Sequence, residues 1–299
     1  MNILAILLAL LLEQRRPPSS QASLRAAFER WASFLDDQLN SGERHHGLLA
    51  WMLAVLPLLA VALGLNIFFT HWMTGFNWLL NTLILLLLLN FRTTLADLTA
   101  LQHRLRPSGQ EQNLAESQQE EPLGETSLVV AEGIERALMA IHSQLLAVLF
   151  WYFWLPGCSG ALLYWLAREL NQRWGTRTDS EFGHFSRRAF EWLDWIPLRL
   201  TALAFAIVGN FEDSLFCWRT QAAASTSTPR IVLASAAGAL GIRLGDASSP
   251  ERALEGLELG VGELPDIDHL RSAEGMIWRT VILWLLLMSM LSVAALVGH

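Results

Sequence analysis

HSQLLAVLFWYFWLPGCSGALLYWLAREL, residues 142–170, is apolar along almost its whole length. At about 1.5 Å of rise per residue, a helix of this length crosses a hydrocarbon core of about 30 Å. Pro156, Gly157, Ser159 and Gly160 cut the run near its middle. Proline removes a backbone donor and glycine weakens a helix, so the run breaks or turns there. Lipid tolerates a broken backbone only where protein or a water-filled cavity satisfies the freed polar groups. The segment therefore reads as a kinked span or as a re-entrant pair of half-helices, with a polar site near Gly157.

The composition agrees with a bilayer as solvent. Of 299 residues, 53% are hydrophobic and only 16% are charged, against about 25% charged in soluble domains. The mean hydropathy is +0.34. The expected fold class is all-α: a polytopic integral membrane protein with about four full spans, re-entrant or broken helices and cytoplasmic amphipathic helices. The 13 Trp beside 2 Tyr suit rings at the bilayer interfaces. All 21 basic residues are Arg, yet the net charge is −7 and no concentrated basic face is visible, which excludes a nucleic-acid partner. Cys158 and Cys217 have no metal or redox spacing and are expected as free thiols. The eight His show no metal-ligand spacing either, so no metal site is expected.

Taken in order, residues 1–91 hold three spans, at 1–12, 48–69 and 76–91. Between the first two, Ser23 caps an amphipathic helix at 23–40 with Leu24, Phe28, Trp31, Leu35 and Leu39 on one stripe. Asn77, Asn81 and Asn90 punctuate the third span and face a protein interior, either joining helices or touching a ligand. Residues 92–141 read as a cytoplasmic helical segment around a polar loop, 107–126, expected to be mobile. Residues 142–212 form the broken or re-entrant core. Its second part, WIPLRLTALAFAIVGNF at 195–211, carries Pro197 and Arg199. An Arg at membrane depth is a functional position or an interfacial one that snorkels to water. Residues 213–275 are a cytoplasmic loop with Gly238, Gly241 and Gly245, and 276–299 is a final span.

Charge decides the topology. If residues 142–170 and 195–211 both return to the side they entered from, every Arg-bearing loop falls on one side. The N-terminus, the turn THWMTG and the C-terminus remain outside without Arg or Lys. By the positive-inside rule the chain sits in a bacterial inner membrane with both termini periplasmic.

Three blocks carry a resemblance: LLAVLFWYFWLPGCSGALLYWLAREL, then FGHFSRRAFEWLDWIPLRLTALAFAIVG, then AAGALGIRLGD before a terminal span. With them the chain resembles the AmpE family of inner-membrane proteins associated with regulation of β-lactamase expression. That family is related to the CobD/CbiB proteins of cobalamin biosynthesis, which join an aminopropanol phosphate to a corrinoid acid. Against the CobD-like pattern, Met139, Ala140 and Ser143 stand where an acidic cluster is expected, and LARELNQ replaces a second polar motif. Asp194, Arg199, Thr201 and the Gly238, Gly241 and Gly245 loop survive, with Asn90 or Arg92 completing the cluster. Asp194 and Arg199 are expected side by side around a turn at Pro197.

The resemblance therefore implies a non-catalytic regulatory protein of β-lactamase induction and cell-wall stress signalling. Its partners would be the lipid bilayer and a small anionic ligand or a signalling protein. It would carry no catalytic residue and no cofactor, ATP and magnesium entering only through the CobD likeness. The alternative is a CobD-like amide-forming ligase on a phosphorylated amino alcohol, with Glu135 and Glu169 as substitute carboxylates. A permease, suggested by broken helices, is the third reading. Gly157-Cys158-Ser159-Gly160 lacks the spacing of a hydrolase nucleophile turn.

Overall fold

The structure, a computed structural model, describes residues 3–13, 19–39, 44–72, 74–105, 123–177, 181–222, 229–245 and 259–297. Every named element among them is helical. In order they are α1 (Ile3–Glu13), α2 (Ser19–Leu39), α3 (Arg44–Trp72), α4 (Thr74–Leu88), α5 (Phe91–Leu105), α6 (Leu123–Ile141), α7 (Ala147–Trp154), α8 (Ser159–Leu170), α9 (His184–Val208), α10 (Phe211–Cys217), α11 (Pro229–Leu240) and α12 (Ile267–Val297). Short π-helical turns lie at His142–Leu146, Asn171–Gly175 and Trp218–Ala222. The loop expected to be mobile lies mostly outside the described residues; its last positions already belong to α6.

Among the described residues, four helical runs are long and apolar enough to cross a bilayer: His46–Trp72, Gly75–Leu105, Thr126–Trp154 and Ile267–Ala295. The protein is a multi-pass membrane protein. The set differs in one member from the spans read in the sequence. α1 has 11 residues, well short of the roughly 20 a span requires, and the fourth long run is Thr126–Trp154 instead. Polar residues such as Glu132, Glu135 and Arg136 in its first half conceal that run from a search for continuous apolar sequence.

The chain divides into two compact units. The first comprises Met1–Phe91, Ser143–Pro197 and Met288–His299. In it α7 ends at Trp154, and α8 returns against α7. The break at Pro156 and Gly157 is thus the tip of a helical hairpin at the end of a long helix. It does not lie midway along a span. Gly157 has φ of 63°, and a Cβ there would sit 1.8 Å from Asn66 Nδ2, so the turn requires glycine. Gly160 lets α8 pass close to α7, since its Cβ would lie 2.0 Å from the Trp151 carbonyl oxygen.

Side chains from α3 and α4 satisfy the hairpin's polar groups. Asn81, 2% exposed, accepts the Cys158 N–H at 2.9 Å through Oδ1. The same oxygen accepts Asn66 Nδ2 at 3.3 Å. Asn81 Nδ2 donates to Asn77 Oδ1, and Asn77 Nδ2 donates to Thr70 Oγ1. Of the two roles open to these asparagines, Asn77 and Asn81 join helices. At the other end of this unit, Glu13 is buried and accepts the N–H of Phe91, the first residue of α5. A carboxylate there satisfies one of the unpaired donors that open every helix and complements its dipole.

α2 packs on α3, with its Phe28 ring 5.4 Å from Trp165 of α8. Three polar contacts follow along it. Arg25 pairs with Glu169 at 3.0 Å, Ser33 accepts from Arg173 at 2.7 Å, and Asp36 pairs with Arg177 at 2.9 Å.

The second unit comprises Arg92–His142 and Leu198–Leu287. α10 and the π-turn after it pack on α11, which also packs on α6. Asn210 caps α10 by accepting the N–H groups of Glu212 and Asp213, and its own N–H reaches the Ala239 carbonyl at 3.1 Å. Gly238 lets α11 pass close to α10: a Cβ there would meet the Asp213 carbonyl oxygen at 2.5 Å.

Candidate functional site

The second unit gathers a polar site from three elements. One face of α6 and the π-turn presents Glu135, Met139 and His142, spaced by four and then three residues. His142 is fully buried, and its Nδ1 lies 2.9 Å from Thr201 Oγ1 on α9, itself fully buried. The π-turn starts at His142; a π-turn inserts one extra residue into a helix and is frequent where a side chain must be re-aimed. Glu135 Oε1 accepts the Gly245 N–H at 2.8 Å. The carboxylate thereby holds the loop that follows α11.

That loop is short and fixed at both edges. Gly241, with φ of 68°, ends α11 in the left-handed conformation usual for a helix terminus. Ile242 bridges to Glu263 and Leu244 to Leu259. Gln221 grips the opposite side, donating to the Gly260 carbonyl at 3.1 Å and accepting its N–H at 2.7 Å. Between the two bridges the exposed Arg243 projects from the loop. Ser235 ties α11 to α9 by donating to the Ala202 carbonyl at 2.7 Å, next to Thr201.

Of the residues singled out in the sequence, Thr201, Gly238, Gly241 and Gly245 thus belong to one connected arrangement. Arg199 is half-buried on α9, and Arg92 is exposed at the start of α5. Asn90 is half-buried in the two-residue step between α4 and α5. Asp194 is buried and accepts the Tyr164 hydroxyl at 2.7 Å. The turn expected at Pro197 is absent, because α9 runs unbroken from His184 to Val208 with Pro197 inside it. A proline removes one donor without forcing a turn when its neighbours keep helical geometry. Five residues along a continuous helix separate Asp194 and Arg199 by about 140° around its axis.

The first unit has its own buried charges. Arg168 and Glu169 are 4% and 8% exposed. Arg168 donates to Glu169 at 2.8 Å and to the Ser143 carbonyl at 2.9 Å, and Arg25 donates to the same Glu169 oxygen at 3.0 Å. Tyr164, one helical turn before Arg168, lies on the same face of α8. His142, Tyr164 and Arg168 were not singled out in the sequence. Their signal there was only a polar side chain inside an apolar run. Glu135 and Glu169, read as possible replacement carboxylates, are both engaged: one by a backbone amide, the other by two guanidinium groups. Among the described residues no three His, Cys, Asp or Glu side chains gather as a metal set.

Fold and site together define a multi-pass helical membrane protein with one polar site built on a glycine loop and a second buried ionic cluster. The family described as CobD/Cbib protein matches residues 3–276, and the chain belongs to that family. The cobalamin biosynthesis protein CobD of Stutzerimonas stutzeri is 33% identical over 302 residues, covering 95% of this chain and 96% of the relative. That of Chromobacterium violaceum is 35% identical over 169 residues, covering 55% and 53%. No solved structure matches.

These likenesses overturn the regulatory reading. The AmpE-type role in β-lactamase induction rested on substitutions at Met139, Ala140 and Ser143, yet the whole-length relative is a cobalamin biosynthesis protein. Four residues before Met139, on the same face of α6, stands Glu135. Loss of a carboxylate at one position of a helix is not its loss from that face.

Proposed function

We propose that this chain acts in cobalamin biosynthesis as a CobD-type enzyme, forming the amide bond between a corrinoid carboxylic acid and a phosphorylated amino alcohol. The observation that carries the reading is the likeness to a curated cobalamin biosynthesis protein along 95% of the chain. The site in the second unit is compatible with that chemistry. Arg243, the exposed cation of a glycine loop, suits a phosphate or carboxylate group. Glu135 is a carboxylate that could take a proton from the substrate's ammonium, freeing the neutral amine to attack. Thr201 and His142 form a buried pair that fixes the helix carrying Glu135.

Among the described residues no three His, Cys, Asp or Glu side chains gather as a metal set; ATP with magnesium would activate the corrinoid carboxylate, so that the oxygen lost when its acyl C–O bond breaks would leave on a phosphate. The placing of the Arg-bearing loops on one side supports an orientation with both termini periplasmic. A bacterial strain lacking its resident CobD and dependent on cobalamin tests the function. The chain is expected to restore growth, and Glu135→Gln to restore it poorly at equal membrane abundance. Failure of the unaltered chain, properly inserted, would overturn the reading.

A further inference from the structure

In the second unit, residues 241–245 and 259–263 form two short segments bridged to each other. Burial alternates along the first: Ile242 and Leu244 are 0% and 2% exposed, and Arg243 between them is exposed. Successive side chains of extended chain point to opposite faces, so the two buried neighbours turn Arg243 outward. Its backbone is held as well. The Arg243 N–H donates to the Glu263 carbonyl at 2.9 Å, and Leu244 and Leu259 exchange both their backbone hydrogen bonds, at 2.7 and 2.6 Å. Arg243 therefore stands where residues 259–263 put it.

Gln221 holds that second segment. It is half-buried in the π-turn Trp218–Ala222. Its side-chain amide donates to the Gly260 carbonyl at 3.1 Å and accepts the Gly260 N–H at 2.7 Å. This is the two-bond pairing that one strand residue makes with another, and a primary amide supplies its donor and acceptor together. Gly260, with φ of 101°, is pressed against the first segment: a Cβ there would meet the Ile242 carbonyl oxygen at 2.1 Å. Having no side chain to pack, it is located through its backbone groups, and Gln221 engages both. Its neighbour Leu259 is buried in one apolar cluster with Cys217, Ala222 and Ala234. The turn that carries Gln221 thus seats Leu259 too, and through Leu259 and Leu244 it reaches Arg243.

We propose that Gln221 is a positioning residue for the phosphorylated amino alcohol: its paired hydrogen bonds to Gly260 hold Arg243 in place to receive the phosphate. This role rests on the reading of Arg243 given above. A guanidinium presented on a fixed backbone loses less freedom on binding than one on a loose loop. Releasing Gly260 therefore weakens phosphate binding without removing any group that touches the ligand.

Full-length protein in detergent micelles, titrated calorimetrically with aminopropanol phosphate, tests this. Gln221→Met keeps the length of the side chain and removes both hydrogen bonds. It is expected to raise the Kd at least about five-fold at unchanged helix content. Arg243→Gln is expected to raise it by a similar factor. The double variant should lie within about two-fold of either single variant, because both losses act through one cation. If Gln221→Met does not fold, Gln221→Glu takes its place with the same expectation, since it keeps the acceptor for the Gly260 N–H and loses the donor. In turnover, the KM for aminopropanol phosphate should rise while kcat and the KM for the corrinoid acid stay within about two-fold. An unchanged Kd in a folded Gln221 variant, losses that multiply in the double variant, or an unaltered chain that does not bind aminopropanol phosphate overturns the proposal. The enzyme reading fails separately: an unaltered chain that binds aminopropanol phosphate in a Gln221-dependent way yet forms no amide would sink that reading and leave the role of Gln221 standing.

Discussion

Glu169 is the residue on which the buried charges of the first unit depend. It accepts from Arg168 and Arg25 through one oxygen, and Arg168 itself is 4% exposed. Removing the carboxylate leaves a guanidinium in a poorly hydrated interior, a loss on the order of 3–5 kcal/mol. Glu169→Ala is therefore expected to unfold at markedly lower denaturant in mixed micelles, whereas Arg25→Ala, at a partly exposed position, is expected to shift the midpoint little. Comparable shifts for the two would show that the cluster is not a buried ion pair. Cys217 makes a second test at this scale. Burial pushes its thiol above the ordinary range, and the Asp213 carboxylate adds to the shift. At pH 8 less thiolate is present than in a free cysteine, so maleimide should label Cys217 slowly in folded protein and fast after denaturation. Rapid labelling of the folded chain at that pH would contradict its buried environment.

The hairpin α7–α8 shows how far elements are legible in a sequence. The break at Pro156 and Gly157 is plain, because proline and glycine act locally. Its position at the end of a long helix is not, because Glu132, Glu135 and Arg136 interrupt the apolar sequence of residues 126–141 ahead of His142. Likewise the small-residue pattern of α11 announces close packing, and Gly238 provides it against Asp213. The partner of Glu135 is a backbone amide 110 residues away in sequence, and no periodicity reports such a pairing. Thr201 was marked through its motif, while His142, which meets it, was hidden as the first residue of an apolar run. The hairpin tip can be tested directly. Gly157→Ala forces a left-handed conformation that costs roughly 1–2 kcal/mol, and its Cβ displaces Asn66. It should destabilise by more than that strain alone, and more than Gly64→Ala, where a Cβ meets nothing within 4 Å. Equal effects at both sites would mean the Asn66–Asn81 contact does not fix the turn.

For the molecule as a whole, four long apolar helices among the described residues and the family match make this a multi-pass membrane protein of the CobD/CbiB family. The orientation proposed from the placing of the arginines has its own test. In a background lacking Cys158 and Cys217, a single cysteine at Thr176, exposed after α8, is expected to resist an impermeant thiol reagent in intact cells. One at Trp72, 76% accessible at the end of α3, should react. The reverse pattern would invert the topology. The chemistry is tested most directly by purified full-length protein given a corrinoid acid, aminopropanol phosphate, ATP and magnesium, with product followed by mass spectrometry. Formation of the amide, reduced at least about ten-fold in Glu135→Gln with unchanged thermal stability, is the expected result. No amide from folded protein, under conditions in which the Stutzerimonas stutzeri relative forms it, would contradict the assignment.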